Sequence, residues 1–130
     1  MARRKKRSHS LTPLELDIMQ VLWREGSSNV QTVHTKLQSD LAFTTVQTVL
    51  TVLYQKGHVQ RTLKGRAYEY RPAESKDSVL GQAVRDLVGR MFGGSSEELV
   101  MSLVKTRQID RAALARLSRR IAASETSEPE

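Results

Sequence analysis

The sequence predicts a mainly α-helical fold that contains one small β-hairpin. Apolar residues recur at the spacing of an amphipathic helix through most of the chain. The spacing changes to strict alternation only over residues 59–71, where two short runs rich in Val, Thr and Tyr flank a glycine. Helices are therefore expected both before and after a single pair of strands.

The first helix is expected to begin at residues 12–15 (TPLE), which combine three start signals. Thr12 is a favourable N-cap, Pro13 fits the first helical position, and Glu15 completes a capping box. Behind this start the apolar positions follow the helical period until Gly26. These core positions are Leu14, Ile18, Met19, Val21, Leu22 and Trp23.

Two more short helices follow. Ser28-Asn29 is expected to open the second, over residues 30–37, and a brief link containing Asp40 leads to the third. Thr44 and Gln47 have the spacing of another capping box, and the third helix is expected to end at Lys56 before Gly57. Three short helices with a tight link between the last two are typical of a helix-turn-helix.

The hairpin follows the third helix directly. Its strands are expected at 59–63 and 67–71, joined across Lys64-Gly65 and ended by Pro72. A hairpin in this position is the wing of a winged helix-turn-helix. We therefore expect residues 11–72 to form a winged-helix DNA-binding domain.

Residues 73–124 are expected to form a C-terminal helical dimerisation module. Ser75, Ser95 and Asp110 are plausible N-caps of three amphipathic helices. The chain around these helices is too short to bury all their apolar stripes, so we expect them to pair with a second copy. The predicted dimer contacts are Val84, Leu87, Val88, Met91, Leu99, Leu103, Leu114, Leu117 and Ile121. An acidic disordered tail is expected at 125–130.

The net charge of +7 is confined to the first part of the chain. Residues 1–72 contain twelve Lys/Arg and five Asp/Glu, whereas residues 73–130 contain nine of each. Such asymmetry favours a polyanionic partner, and no stretch has the basic and aromatic faces of a membrane-surface helix. We expect double-stranded DNA. Residues 1–10 are predicted to be a disordered basic arm, which either lies along phosphates or serves only as a solubilising tail.

Several classes of function are disfavoured by residues that the sequence lacks. It has no cysteine, and its three histidines have no metal-ligand spacing and are expected at the surface or in turns. No glycine-rich phosphate loop, catalytic triad or carboxylate cluster is recognisable. No apolar run approaches the roughly 18 residues of a membrane span, and no signal core is present. We expect a cytoplasmic protein that is not an enzyme and needs no metal or cofactor.

The third helix has an uncharged polar face opposite Val46. Gln can bond adenine with two hydrogen bonds, and Thr offers a hydroxyl and a methyl to thymine, so this face suits the major groove. Simple capping and solvation is the alternative interpretation. The residues of the face are Thr44, Thr45, Gln47, Thr48, Thr51 and Gln55.

Cations flank this face on both sides. They are expected to hold the DNA backbone while the helix contacts bases. The flanking cations are Arg3, Arg4, Lys5, Lys6, Arg7, Lys56, Arg61, Lys64 and Arg66.

Three motifs resemble the penicillinase-repressor family of bacterial regulators. They are E-x-x-I-M-x-x-L-W from Glu15, T-T-V-x-T from Thr44, and K-G at Lys56 followed by G-R-x-Y-x-Y from Gly65. The resemblance is closest over residues 11–72 and weaker in the C-terminal helices. It implies a dimeric winged-helix repressor on a palindromic operator, with Thr44, Thr45, Gln47 and Thr48 as DNA contacts and with the wing at Lys64 and Arg66.

The resemblance also implies release of DNA when a membrane sensor protease pathway cuts the dimerisation domain. The bond would align with Ser102-Leu103, where the antibiotic-resistance members have Asn-Phe. Val52 and Gln55 stand where relatives often have cations, and the cysteine-rich tail of the copper-responsive branch is absent. The other function left open is a non-sequence-specific nucleic-acid or nucleoprotein binder.

Overall fold

The computed structural model describes residues 11–127, with side chains to residue 125, as six helices and a three-stranded antiparallel sheet. The helices are α1 (Pro13–Glu25), α2 (Val30–Leu37), α3 (Phe43–Lys56), α4 (Lys76–Met91), α5 (Ser96–Lys105) and α6 (Arg111–Ser127). The strands are β1 (Ser28–Asn29), β2 (Val59–Lys64) and β3 (Ala67–Pro72), in the order β1-β3-β2. The predicted fold class is confirmed. The predicted basic arm lies outside the described residues.

The chain divides into two compact units, of which the first ends at Val84 and the second begins at Arg85. The first unit holds the winged helix-turn-helix and the first half of α4, whereas the sequence-based boundary at 72/73 falls earlier. Trp23 Nε1 donates a hydrogen bond of 3.0 Å to the carbonyl of Glu74. This bond attaches the end of α1 to the segment that leads into α4.

The core of the first unit is built from one face of each helix. Ile18 and Leu22 of α1 are fully buried with Leu50 of α3 and Val33 of α2. Tyr70 of β3 closes this cluster from the side of the sheet. The first helix packs as predicted, and both hydrogen bonds of its capping box are present.

Helix α3 begins one residue before the predicted cap. Its N-cap is Ala42, which makes no side-chain bond, so the predicted capping box of Thr44 and Gln47 is wrong. The Ala42 carbonyl instead accepts the amides of Thr45 and Val46, at 3.0 and 3.2 Å. Because the helix starts earlier, Thr44 and Gln47 lie inside its first turns, and their side chains do not cap the helix.

The hairpin turn is Gly65-Arg66, not Lys64-Gly65. Lys64 pairs with Ala67, and Gly65 has φ 64°. A positive φ at the first turn residue alone fits the type II′ pattern, which favours glycine there. Strand β1 was not predicted either. Its pairing with Tyr70 and Glu69 joins distant parts of the chain, which local periodicity does not report.

The second unit consists of the end of α4 with α5 and α6. Gly93 and Gly94 both have positive φ and form the predicted break after α4. Ser95 and Asp110 accept backbone N–H bonds of 3.1 and 2.8 Å at the starts of α5 and α6, as predicted. Helix α6 continues to Ser127 and so includes the first three residues of the predicted tail, 125–127. No helix within residues 11–127 is long and apolar enough to cross a bilayer.

A buried carboxylate links α1 to the end of α3. Glu15 is 5% exposed, and its Oε2 accepts a bond of 2.7 Å from Lys56 Nζ. Burial by itself would raise the pKa of Glu15. Hydrogen bonds from Lys56 and Thr12, with the nearby charges of Lys56 and His58, outweigh burial and lower that pKa from 4.5. His58 lies in the turn between α3 and β2, which is one of its two predicted places, but it is buried and not at the surface.

We predict that Glu15→Gln lowers the free energy of unfolding by roughly 1–3 kcal/mol at neutral pH, because Lys56 loses a charged acceptor. The folded pKa of Glu15 is lowered, so its stabilisation is present above pH 4.5 and is lost as the pH falls through the folded pKa. Urea denaturation should therefore show the difference from wild type shrinking toward about pH 3.

Asp17→Asn is the matched control, because it removes an exposed carboxylate from the same helix. It should change stability by less than about 0.5 kcal/mol. A stability difference for Glu15→Gln that stayed constant from neutral to acid pH would contradict the linkage to Glu15.

Candidate nucleic-acid interface

Helix α3 exposes the uncharged polar face that the sequence predicts. Val46, Leu50 and Leu53 are fully buried on the inner side. On the outer side Thr45 and Thr51 are half-buried, and Thr51 Oγ1 donates to the Gln47 carbonyl at 3.0 Å. The remaining predicted side chains are exposed: Thr44, Gln47, Thr48 and Gln55. The face therefore presents amide and hydroxyl groups without a charge.

One cleft joins this face to the hairpin. It has a volume of about 400 Å³ and is lined by Gln47 of α3 and Arg66 of the turn. Phe43, Tyr68 and Tyr70 supply aromatic surface beside them. An amide that can bond a base edge and a cation that can bond a phosphate thus border the same opening.

Two of the predicted phosphate-binding cations have acidic neighbours. Lys56 is bonded to Glu15, and its side chain is 31% exposed. Lys64 Nζ lies 3.9 Å from Glu69 Oε1, with the Lys64 side chain 64% exposed. An exposed pair of this kind contributes little and exchanges readily, whereas Lys56 would have to leave a buried carboxylate. Lys64 is therefore the more available cation of the two.

Arg61 lies over two aromatic rings. Its guanidinium carbon is 3.9 Å from the ring centre of Tyr54 and 4.0 Å from that of Tyr68. Partial desolvation acts to lower the pKa of Arg61, but a hydrogen bond with Tyr70 and the neighbouring tyrosines raise it. The residue predicted to contact a phosphate thus lies within a cluster of tyrosines.

The sequence interpretation missed Phe43 and Tyr54. Phe43 is 43% exposed at the start of α3, with its ring edge-on to His34 at 5.9 Å. Tyr54 follows Thr51 by three residues, so the helical period could have placed it on the outer face. Phe43 gave no such signal, because the predicted helix began after it.

Comparisons with known proteins point to one family over most of the chain. The penicillinase-repressor family model matches residues 11–123. The transcriptional regulator BlaI of Mycobacterium tuberculosis is 35% identical over 78% of this chain and 77% of its own. The penicillinase repressor of Bacillus licheniformis is 24% identical over 80% and 83%. The solution structure of the DNA-binding domain of the repressor BlaI superposes with a TM-score of 0.50 at 31% identity, covering 55% of this chain and 89% of that one.

The chain belongs to the penicillinase-repressor family. This family consists of DNA-binding winged-helix transcriptional repressors, not enzymes. The predicted family, regulatory class and absence of enzyme activity are confirmed.

The predicted dimer contacts of this chain differ in exposure. Val88 is 8% exposed and is buried within the chain itself, which leaves little of it for a partner. Leu99, Leu103 and Leu114 are half-buried. The remaining five are exposed, at 38–70%: Val84, Leu87, Met91, Leu117 and Ile121.

The pair Ser102-Leu103 lies near the end of α5. The Ser102 carbonyl accepts the amide of Thr106 at 2.9 Å and its hydroxyl at 2.8 Å. The Leu103 carbonyl accepts the amide of Gln108 at 2.8 Å. A protease would have to open these bonds before it could bind the segment in extended form.

Proposed function

We propose that this repressor binds a palindromic operator in double-stranded DNA as a cytoplasmic homodimer. The observation that carries the proposal is the exposed, uncharged polar face of α3 beside the wing cation Arg66. The likeness to the BlaI DNA-binding domain supports it. A binder without sequence preference would need cations on α3 more than amides and hydroxyls, because non-specific affinity comes mainly from phosphate neutralisation.

In this proposal the exposed side chains of α3 enter the major groove. Gln47 is the residue best suited to a bidentate bond with adenine, and Thr44 and Thr48 lie next to it on the same face. Thr45, Thr51 and Gln55 border that face. Lys64 and Arg66 hold the backbone from the wing, with the arm cations Arg3, Arg4, Lys5, Lys6 and Arg7 as further phosphate contacts.

We predict that Gln47→Ala and Arg66→Met weaken operator binding in different ways. Gln47→Ala should relax the preference at one position of each half-site by about 1–3 kcal/mol and leave the salt dependence unchanged. Arg66→Met should weaken binding to all sequences alike and reduce the salt slope by about 0.9 for each phosphate that is no longer neutralised.

Both variants are measured by fluorescence anisotropy on a duplex selected by the wild type from a random library, with single-base variants and a salt series. Equal displacement of the wild type by every duplex would favour the non-sequence-specific binder. A changed salt slope for Gln47→Ala would reverse the two assignments.

The homodimer is proposed from the apolar surface that the protomer leaves exposed. Leu80, Val84, Leu87 and Met91 lie within about 60° of one another around α4, and Met91 is 70% exposed. A stripe of large apolar residues on a soluble domain marks an interaction surface. A second copy offers the same stripe, and this self-complementary pairing fits a two-fold palindrome.

We predict that Leu87→Glu dissociates the dimer, because it places a charge within an apolar seam. Sedimentation equilibrium at micromolar concentration should report a dimer for the wild type and a monomer for the variant. Ser78→Glu is the matched control, since it adds the same charge on the opposite side of α4. A Leu87→Glu protein that remained dimeric would contradict the proposed seam.

Release of DNA is proposed to follow from separation of the protomers, with a sensor protease as a further partner. A cut at Ser102-Leu103 would remove α6 with its exposed Leu117 and Ile121. Joining two half-site contacts in one dimer raises affinity by roughly 10²–10⁴. A chain ending at Ser102 should therefore bind the operator at least about tenfold more weakly than the full chain, and affinity within about threefold would contradict this role for the distal helices.

A further inference from the structure

We infer that Arg61 is a positioning residue: it ties the β2–β3 wing to the last turn of α3 and so sets where the wing tip lies relative to the recognition face. This inference rests on the proposed DNA binding. It gives Arg61 a role other than direct phosphate contact.

The contacts of Arg61 span three elements. Arg61 lies on β2, Tyr54 in the last turns of α3, and Tyr68 on β3. The guanidinium carbon is within 4.0 Å of both ring centres, and Tyr70 is the cross-strand partner of Arg61. One side chain therefore joins both strands of the wing to the recognition helix.

This tie is the second point at which the wing is attached to α3. The first is at its base, where the His58 amide donates to the Leu53 carbonyl at 2.9 Å and Val59 enters the core. Strand β1 holds the other side of the sheet through Tyr70 and Glu69 of β3, which leaves β2 as an edge strand. A second attachment, farther along β2, restrains its angle.

The angle of the wing matters because of what the wing carries. Arg66 lies at the turn and lines the same cleft as Gln47 of α3. A phosphate bond from Arg66 and a base bond from Gln47 form together only if the separation of the two side chains matches the DNA. A wing that is already held in place does not lose conformational freedom when DNA binds, so binding is more favourable.

The chemistry of the contact requires arginine. A planar guanidinium stacks on aromatic faces, whereas the compact lysine ammonium is more strongly hydrated and does not stack. Both side chains can neutralise a phosphate. Lysine at this position therefore separates the two roles, because it keeps the charge and removes the stack.

The test compares Arg61→Lys with the wild type in the full-length chain, on the selected operator duplex over a salt series. We expect on the order of tenfold weaker binding with an unchanged salt slope. Tyr54→Phe and Tyr68→Phe keep the rings and should leave the amide exchange of β2 and β3 as in the wild type. Combining Arg61→Lys with Tyr54→Leu should weaken binding little beyond Tyr54→Leu alone, because both changes break the same tie.

Amide hydrogen exchange without DNA supplies an independent readout. In Arg61→Lys the amides of β2 and β3 should exchange faster, while those of α1 keep their protection. Wild-type affinity for Arg61→Lys, a changed salt slope, or unchanged exchange in the wing would each overturn the inference. If the wild type itself prefers no duplex, the proposed function fails, and the exchange comparison still decides whether Arg61 restrains the wing.

Discussion

Burial of Val46, Leu50 and Leu53 fixes the rotation of α3 about its own axis, and the proposed recognition surface depends on that rotation. These side chains pack against α1 and α2 and are fully buried. When the residues on one side of a helix are fixed in the core, the helical period determines which residues are exposed on the other side. Thr44, Gln47 and their neighbours are exposed as a consequence of the core. Variation on the outer face can therefore change what the helix contacts without altering its packing.

The same packing explains why the cations around α3 are not equivalent. Lys56 ends the helix on its inner side and meets the buried Glu15. Arg61 faces the sheet surface that covers the core, where Tyr68 and Tyr70 also lie. Lys64 and Arg66 are beyond these contacts, at the hairpin tip, and both are exposed. Burial thus divides the cations into those that hold the domain together and those available to a polyanion.

Local signals were enough to predict most of the fold. The helical period, the caps at Thr12, Ser95 and Asp110, and the alternation around Gly65 each act within a few residues. The errors arose where no local side-chain pattern marks the structure. Strand β1 exists only by pairing with β3, and the start of α3 at Ala42 has no side-chain cap that a sequence pattern could reveal.

For the candidate site too, the sequence predicts what depends on local periodicity and misses what depends on contacts between elements. Periodicity located the outer face of α3, because it needs only the position of the buried face. It did not reveal that Arg61 reaches Tyr54 and Tyr68, because that depends on the register of the hairpin and on its approach to α3. A turn placed at Lys64-Gly65 would pair Arg61 with Tyr68 instead of Tyr70. Neither register reports the contact with Tyr54, because that contact depends on how the hairpin approaches α3.

A single copy of the chain has limited base discrimination and an uncovered apolar stripe on α4, and pairing with a second copy would change both. A single α3 offers Gln47 and a few hydroxyls, and each bidentate base contact discriminates by only about 1–3 kcal/mol. That is little against the many competing sites of a genome. The stripe on α4 is meanwhile left in water by the protomer. Pairing two copies through α4 would bury that stripe and present a second recognition helix to the same duplex, so the interaction that satisfies the apolar surface also supplies the missing specificity.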